Sequence, residues 1–349
     1  MKKNVLLVYT EKVAFVREDI ITLRKLSHLT EYTFKPLKNP ILLFFQFIKQ
    51  FFSLVRNIKN YDVLYIWFAD YHSFLPICFS LFFKKKSIII LGGYDTMSLP
   101  SINYGVFIKD NLRKTLIKFA IKNANYLLGV DESMFTSTNS YIEPQGIKVG
   151  VNNFVENIKG KSLVVPTGYN VKDWTRDNKI LKENIIVTIG SVTQEKGLKR
   201  KGFDFFKEVA KHLPNYQFVI IGPNKTFKEI LEKDAPANLT VKSFMPQEEF
   251  KKTLNKAKVF CQFSLAEGLP NTLCEAMLYE CIPVGSSVNG IPKAIGNTNL
   301  IISQPEIGQA KKAIEYAIKM SSTDGTHFRN RIISLFPKKN REQALKAII

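Results

Sequence analysis

Short, unbroken apolar runs alternate with longer amphipathic stretches along almost the whole of this chain, an order few architectures accommodate. A run of about four to eight apolar residues between turn signals reads as a strand buried on both faces; a 3.6-residue periodicity reads as the helix covering it. In the first half, strands are expected at Val5–Tyr9, Val63–Trp67, Ser87–Leu91, Tyr126–Gly129 and Ile147–Gly150, with helices near 15–29, 41–58, 107–123 and 132–139. In the second half the strands are Ile185–Gly190, Gln217–Gly222, Val259–Phe263 and Ile282–Gly285, with helices near 203–212, 247–257, 272–280 and 308–320. Strands and helices in this order make parallel sheets covered on both faces. The fold class is therefore α/β, built as two Rossmann-like domains facing each other across a cleft.

The length supports two cores. At ~150 residues per domain, 349 residues suffice for two. The turn-rich Val165-Pro166-Thr167-Gly168 and the polar stretch to Asn184 mark the seam. The expected division is 1–168 and 169–334, with a C-terminal helix at about 335–349 packing back on the first domain. Ligands of open α/β sheets bind beyond the carboxyl ends of the strands, so the site belongs in the cleft.

Charge narrows the partners. The chain holds 50 Lys and Arg against 30 Asp and Glu, a net charge of +20. The excess is even, +11 over 1–180 (25 basic, 14 acidic) and +9 over 181–349 (25 basic, 16 acidic), so it belongs to folded surface rather than a tail. Such a surface suits an anionic ligand or membrane. The four cysteines form no CxxC pair and no metal-ligand spacing with the four histidines, which fits a reduced, cytoplasmic setting. Lys2-Lys3 followed by Val5–Tyr9 superficially resembles a signal peptide, but Thr10-Glu11-Lys12 breaks the run too early and a strand is the better reading. The apolar runs Ile41–Ile48 and Phe74–Phe83 fall short of the ~18 residues that span a bilayer.

The densest chemistry lies in FSLAEGLPNTLCEAM, residues 263–277. A strand ends near Phe263, Gly268 and Pro270 turn the chain, and a helix starts near Asn271. Glu267 stands in the turn and Glu275 about one helical turn in, so both can face the carboxyl edge of the sheet. Between them, the free N–H groups of Asn271 and Thr272 form a helix end suited to phosphate. Carboxylates that accept from sugar and ribose hydroxyls beside a phosphate-holding helix end would make a nucleotide-sugar site. Taken alone, the pair reads as a solvated loop residue and a glutamate favoured by the helix dipole.

The pair is not alone. IGSVTQEKGLKRKGFDFFKEVAKHLPNYQFVIIGP precedes it, and Gly285 and Gly290-Ile291-Pro292 follow. Over about 185–296 the chain resembles the retaining GT-B glycosyltransferases of family 4, in order and spacing. That resemblance implies a sugar moved from a nucleotide-diphosphate donor (UDP- or GDP-linked) to a hydroxyl, with retention, with no metal and no cofactor beyond the co-substrate. It implies that Glu267 contacts the donor sugar, Glu275 the ribose and Lys201 the diphosphate. Gly268, Leu269, Asn271, Thr272 and Ser191 complete the donor site, and Met245, in Phe244-Met245-Pro246, matches where the base is held. It further implies a carbohydrate or lipid-linked acceptor and a role in cell-surface polysaccharide or glycolipid assembly.

There are departures. Ser191 follows Gly190 where relatives often carry arginine, leaving Lys196, Lys199 and Arg200 as unranked second cations on the diphosphate. Gly197 and Gly202 have the spacing of a P-loop, but Phe203 stands where that loop needs lysine. No GxGxxG occurs, which speaks against a nicotinamide enzyme. In the first half, Asp95 after Leu91-Gly92-Gly93-Tyr94 matches the region where relatives place a histidine or acid near the reacting sugar; it equally caps a turn. Trp67–His72 could line the acceptor side, with His72 read as structural. Phe15, Arg17 and Asp19 have no assignment.

Two stretches concern surfaces. Gln46, Lys49, Gln50, Ser53, Arg56 and Asn60 form one polar stripe on an otherwise apolar helix, expected to cover the sheet. Lys109, Arg113, Lys114, Lys118 and Lys122 form either a solvated face or a dock for an anionic membrane, with the enzyme then peripheral at the inner face of the cell membrane. The rival readings are another GT-B enzyme, a sugar-nucleotide epimerase or phosphorylase, and a non-catalytic basic membrane- or nucleic-acid-binding protein. An intact donor motif and evenly spread charge favour the transferase without nucleic acid.

Overall fold

The computed structural model describes residues 2–37 and 39–349. The first domain runs β1 (Asn4–Tyr9), α1 (Ala14–Leu26), β2 (His28–Thr33), α2 (Pro40–Asn57), β3 (Val63–Trp67), α3 (Tyr71–Phe82), β4 (Lys86–Leu91), α4 (Leu112–Asn123), β5 (Tyr126–Gly129), β6 (Ser137–Asn139), β7 (Ile147–Val149) and β8 (Lys161–Val164). The second runs β9 (Glu183–Val192), α5 (Glu195–Lys201), α6 (Phe203–Lys211), β10 (Gln217–Pro223), α7 (Lys225–Glu232), β11 (Leu239–Lys242), α8 (Gln247–Lys256), β12 (Ala257–Gln262), α9 (Asn271–Leu278), β13 (Ile282–Ser286), α10 (Ile291–Ile295) and β14 (Ile301–Ile302). Three helices close the chain: α11 (Ile307–Lys319), α12 (Ser322–Leu335) and α13 (Lys338–Ile348).

Each domain carries a six-stranded parallel sheet, ordered β2-β1-β3-β4-β5-β8 and β11-β10-β9-β12-β13-β14. The central strands are the unbroken runs. VLYIW of β3 is buried at every position, as a strand with helices on both faces must be. The two structures that the periodicity mislocates lie between β5 and β8. Ile147–Val149 is a strand, but it pairs antiparallel with Ser137–Asn139 outside the main sheet. The helix expected at 132–139 is a single turn, Glu132–Met134, capped by Asp131 and followed by β6. The helix expected from 107 begins at Leu112, where the Asn111 side chain accepts from the N–H of Lys114.

After α12 the chain returns to the first domain. Arg341 of α13 forms a bidentate pair with Asp19 of α1, Nε to Oδ1 and Nη2 to Oδ2 both 2.7 Å, with both side chains buried. Leu345 and Ile348 complete a core with Val5, Leu7 and Tyr65. The two crossings between domains are hydrogen-bonded to each other. Tyr169 N–H donates to Phe336 C=O at 2.9 Å, and Lys338 N–H donates to Tyr169 C=O at 3.1 Å. The hinge is thus one two-stranded strap.

Candidate donor site in the interdomain cleft

Lys201 and Glu267 meet because of one glycine. Gly202 links α5 to α6 at φ 69°, and a Cβ there would lie 2.2 Å from the Phe263 carbonyl. Only glycine fits both the left-handed backbone and that approach. The turn aims Lys201 back across the end of β12, where its Nζ lies 2.6 Å from Glu267 Oε1. The Gly197–Gly202 spacing thus belongs to a helix and its end.

Glu267 is held from three sides. Lys201 donates to it, the Ser264 hydroxyl donates at 2.9 Å, and Arg200 Nη1 donates at 3.3 Å while also bonding the Ala266 carbonyl. Burial by itself would raise the Glu267 pKa, but Lys201 and Arg200 outweigh it and hold the carboxyl below its usual value. Of the three unranked cations, Arg200 is therefore the one at the carboxylate, with its guanidinium 5.1 Å from the Tyr104 ring centroid. Lys196 stands over Tyr94 at 5.7 Å, and Lys199 lines neither cavity of the cleft.

Two cavities of about 220 Å³ each occupy the cleft and share Phe15, Thr167 and Asn271. The inner one is lined by Lys201, Glu267, Gly268, Leu269, Asn271, Thr272 and Ser191 from the second domain, and faces Trp67, Phe68 and Gly92 of the first. The domains close tightly here: a Cβ on Gly268 would come within 2.8 Å of Val130 and 2.9 Å of the Gly92 carbonyl. The outer cavity is lined by Glu275, Lys251, Gln247 and Trp174 on one side and by Arg17, Asp19 and Arg341 on the other.

Glu275 differs sharply from Glu267. It is 9% exposed, and no donor among the described residues bonds its carboxylate. Burial pushes its pKa up to about 8, against the modest pull of Lys251. Glu275 lines the outer cavity, where a ligand's donors can meet its carboxylate.

Asn271 opens α9 directly after Pro270, and its side-chain oxygen accepts from the Thr167 hydroxyl at 2.9 Å and the Tyr169 hydroxyl at 2.8 Å. The helix end that faces the cleft is thereby tied to the hinge strap. This link, like the place of Arg200 and the Phe15–Trp67 contact at 4.8 Å, was not legible in the sequence. The first depends on which loops the two domains bring together, the other two on tertiary contacts within one domain.

Two site residues are placed otherwise than expected. Asp95 lines neither cavity: it is 1% exposed, and its carboxylate accepts from the N–H groups of Ala69 (3.0 Å), Gly92 (3.1 Å) and Gly93 (3.0 Å). It shapes the glycine turn that meets Gly268, which is the turn-capping alternative, and burial raises its pKa to about 6. Met245 packs against the core of the second domain and also lines neither cavity. His72 is buried, with Nε2 2.8 Å from the Trp67 carbonyl. Its neighbours Trp67 and Phe68 reach the inner cavity, and His72 does not.

Residues 170–347 match the model of the family described as "Glycosyl transferases group 1". The chain is 31% identical over 173 residues to an α-1,4-N-acetyl-D-galactosaminyltransferase of Campylobacter jejuni named for a GalNAc-containing undecaprenyl-diphosphate substrate. That alignment covers 47% of this chain and 46% of the relative, so the chain matches about half the length of that curated protein. Among solved structures it superposes on a sucrose-phosphate synthase from Thermosynechococcus elongatus with a TM-score of 0.76 at 13% identity, covering 99% of this chain and 98% of the other. It superposes on Anabaena HepE in complex with UDP and glucose with a TM-score of 0.71 at 11% identity, covering 99% of each chain. The likeness to solved structures establishes the two-domain GT-B architecture.

Proposed function

The chain belongs to the group 1 glycosyl transferases, and on that premise we propose that it transfers a sugar from a nucleotide-diphosphate donor to a hydroxyl acceptor with retention and without a metal. The observation that carries the reading is the pairing of two unlike carboxylates across the two cavities, Glu267 held ionised by cations and Glu275 buried without a partner. In this reading the ribose hydroxyls donate to Glu275, the diphosphate lies against Lys201 and the amino end of α9, and the sugar reaches Glu267. The acceptor is a carbohydrate or lipid-linked hydroxyl, a reading supported by the undecaprenyl-diphosphate substrate for which the Campylobacter relative is named. The protein acts at the cytoplasmic side.

The chemistry follows from what lines the inner cavity. Glu267 is the one carboxylate among its described lining residues, and it is already engaged by Lys201, Arg200 and Ser264. No free carboxylate therefore stands ready there as a covalent nucleophile. The acceptor oxygen forms its bond to the anomeric carbon on the face from which the diphosphate departs, and its proton passes to the leaving phosphate oxygen. Lys201 and the N–H groups of Asn271 and Thr272 meet the charge that develops on that oxygen, while Arg200, which lines neither cavity, holds Glu267.

The test is thermal shift with UDP, GDP, ADP and CMP, followed by a panel of nucleotide sugars assayed for transfer and hydrolysis. Stabilisation by one diphosphate and turnover of its sugar is the expected result. No stabilisation and no turnover anywhere in the panel would overturn the reading. Above pH 8, where Glu275 is ionised, Glu275→Ala should weaken nucleotide-diphosphate binding by ~1.5–3 kcal/mol, about 10- to 150-fold, the scale of a hydrogen bond to a charged group. Its pH dependence has a definite sign. Because the Glu275 pKa is raised to about 8, the free protein holds a neutral acid at pH 7, and hydroxyl donors gain affinity as pH rises toward 8. Stability runs the other way. The native state keeps a proton that the unfolded chain releases near 4.5, so this group's contribution falls as pH climbs from 4.5 to 8. Glu275→Gln should flatten both slopes in calorimetry and denaturant titration; unchanged slopes would place the titration elsewhere.

A further inference from the structure

The outward face of α2 has no partner among the described residues, and we propose that it is an insertion surface for an anionic phospholipid bilayer. The helix is seated the reverse of a covering helix. Gln50 and Leu54 are its buried positions, Ile58 follows in the next turn, and Gln50 Nε2 donates to the His72 carbonyl at 2.9 Å. On the other side Ile41, Phe44, Phe45, Phe52 and Val55 are 65, 62, 59, 53 and 50% exposed. The expectation that this helix buries its apolar side on the sheet is thus corrected, because part of its polar stripe turns inward instead.

The surface extends past α2. Phe51 meets Phe79 of α3 at 5.6 Å, Phe79 stacks on Phe83 at 5.9 Å, and Phe82 beside them is 82% exposed. A contiguous aromatic face of this kind marks an interaction site rather than ordinary surface. By length and composition Pro40–Asn60 is apolar enough to cross a membrane, which the shorter run Ile41–Ile48 did not suggest. Its attachment through Gln50, Leu54 and Ile58 keeps it lying on the domain, the geometry of an interfacial helix.

Charge selects the occupant. Between Glu31 and Asp62 the sequence has five cations and no carboxylate, and between Asp70 and Asp95 it has Lys84, Lys85 and Lys86 and none. Lys49 and Arg56 are exposed on α2 and form no ion pair among the described residues. A second copy of this chain would bring the same positive charge to the face, whereas anionic headgroups complement it. The cluster on α4 is the weaker candidate. Arg113 is turned inward onto Asp70, with Nε to Oδ1 at 2.8 Å, and Lys114 pairs with Asp110 at 2.7 Å. Because β1 and β3 run parallel, α2 returns against them, with its Pro40 end at the carboxyl edge that borders the cleft. A bilayer on this face therefore meets the rim of the site.

The test is co-sedimentation of the full chain with vesicles of phosphatidylcholine alone and of phosphatidylcholine with phosphatidylglycerol. Binding to the anionic vesicles is expected, weakened by salt, and lowered at least ~10-fold in Phe44→Ser/Phe45→Ser/Phe52→Ser, whose substituted side chains are exposed and leave the thermal unfolding profile unchanged. A Phe45→Trp variant should show blue-shifted emission quenched by brominated lipid. The proposal fails if wild type and triple variant bind equally, if neither vesicle is bound at low salt, or if light scattering shows a dimer that the triple variant dissolves. Donor hydrolysis without vesicles is read in parallel. Its absence in wild type would count against the transferase reading, while vesicle binding alone decides the fate of the α2 surface.

Discussion

Lys201→Ala lowers the turnover of sugar transfer by ~10²–10³, the scale for removing one preorganised donor to a developing oxyanion. Lys201 is half-buried at the end of α5 with its ammonium 2.6 Å from Glu267, so its position is set before any donor arrives. The substitution leaves Glu267 with Arg200 and Ser264 as partners, and the carboxylate is not stranded. The fold should therefore survive, and thermal unfolding of the variant checks that it does. Steady-state kinetics should place the loss mainly in kcat, because the diphosphate gains most of its charge as the sugar leaves. If turnover stays within a few-fold of wild type, Arg200 carries the leaving group, and Arg200→Ala should then show the large loss instead.

Arg341→Ala destabilises the first domain by ~3–5 kcal/mol, the cost of leaving a buried charge without its partner. Asp19 is 1% exposed and also accepts from the Tyr65 hydroxyl at 2.6 Å and Trp67 Nε1 at 2.9 Å. Those neutral donors remain in the variant but do not balance its charge. Arg341 further donates to the Val165 carbonyl at 2.7 Å, so its loss also frees the start of the hinge. Urea unfolding followed by Trp67 emission in a Trp174→Phe background should report the shift. The double variant Asp19→Asn/Arg341→Met should recover much of it, since removing both charges removes the unpaired one. A loss below about 1 kcal/mol in the single variant would mean that water reaches Asp19 and the pair is not buried in solution.

Much of the architecture is written in local pattern. β3 and β5 fall where the apolar runs place them, and β1, β4, β9, β10, β12 and β13 agree to within one or two residues at most ends. Strands buried on both faces leave unbroken runs, and their sequence reports their burial directly. The elements that escape are those whose pattern is diluted. β2, HLTEYT, lies at the sheet edge with half-exposed positions, so it carries no run. α3, YHSFLPICFSLF, is apolar nearly all round and holds Pro76, so it carries no helical period. The clustering of the candidate site residues was legible for a similar reason: Glu267, Gly268, Asn271, Thr272 and Glu275 sit within one strand-turn-helix unit, where spacing alone fixes their common edge.

What spacing cannot report is which elements meet once each domain folds. Asp95 follows a strand at the right edge, yet three backbone N–H groups capture it and turn it away from the cleft. Arg200 looks no different from Lys199 in sequence; only the left-handed turn at Gly202 brings it to Glu267. Periodicity shows that α2 has two faces but not which one a neighbour will take. Here Gln50 bonds the His72 carbonyl and the aromatic face is left outward. The sequence by itself determined the α/β class, the parallel strands and the strand-turn-helix unit that carries Glu267 and Glu275, because each follows from short-range pattern. The tertiary structure alone decided the partner of each buried charge and the direction of each amphipathic face, because these rest on contacts between residues far apart in the chain.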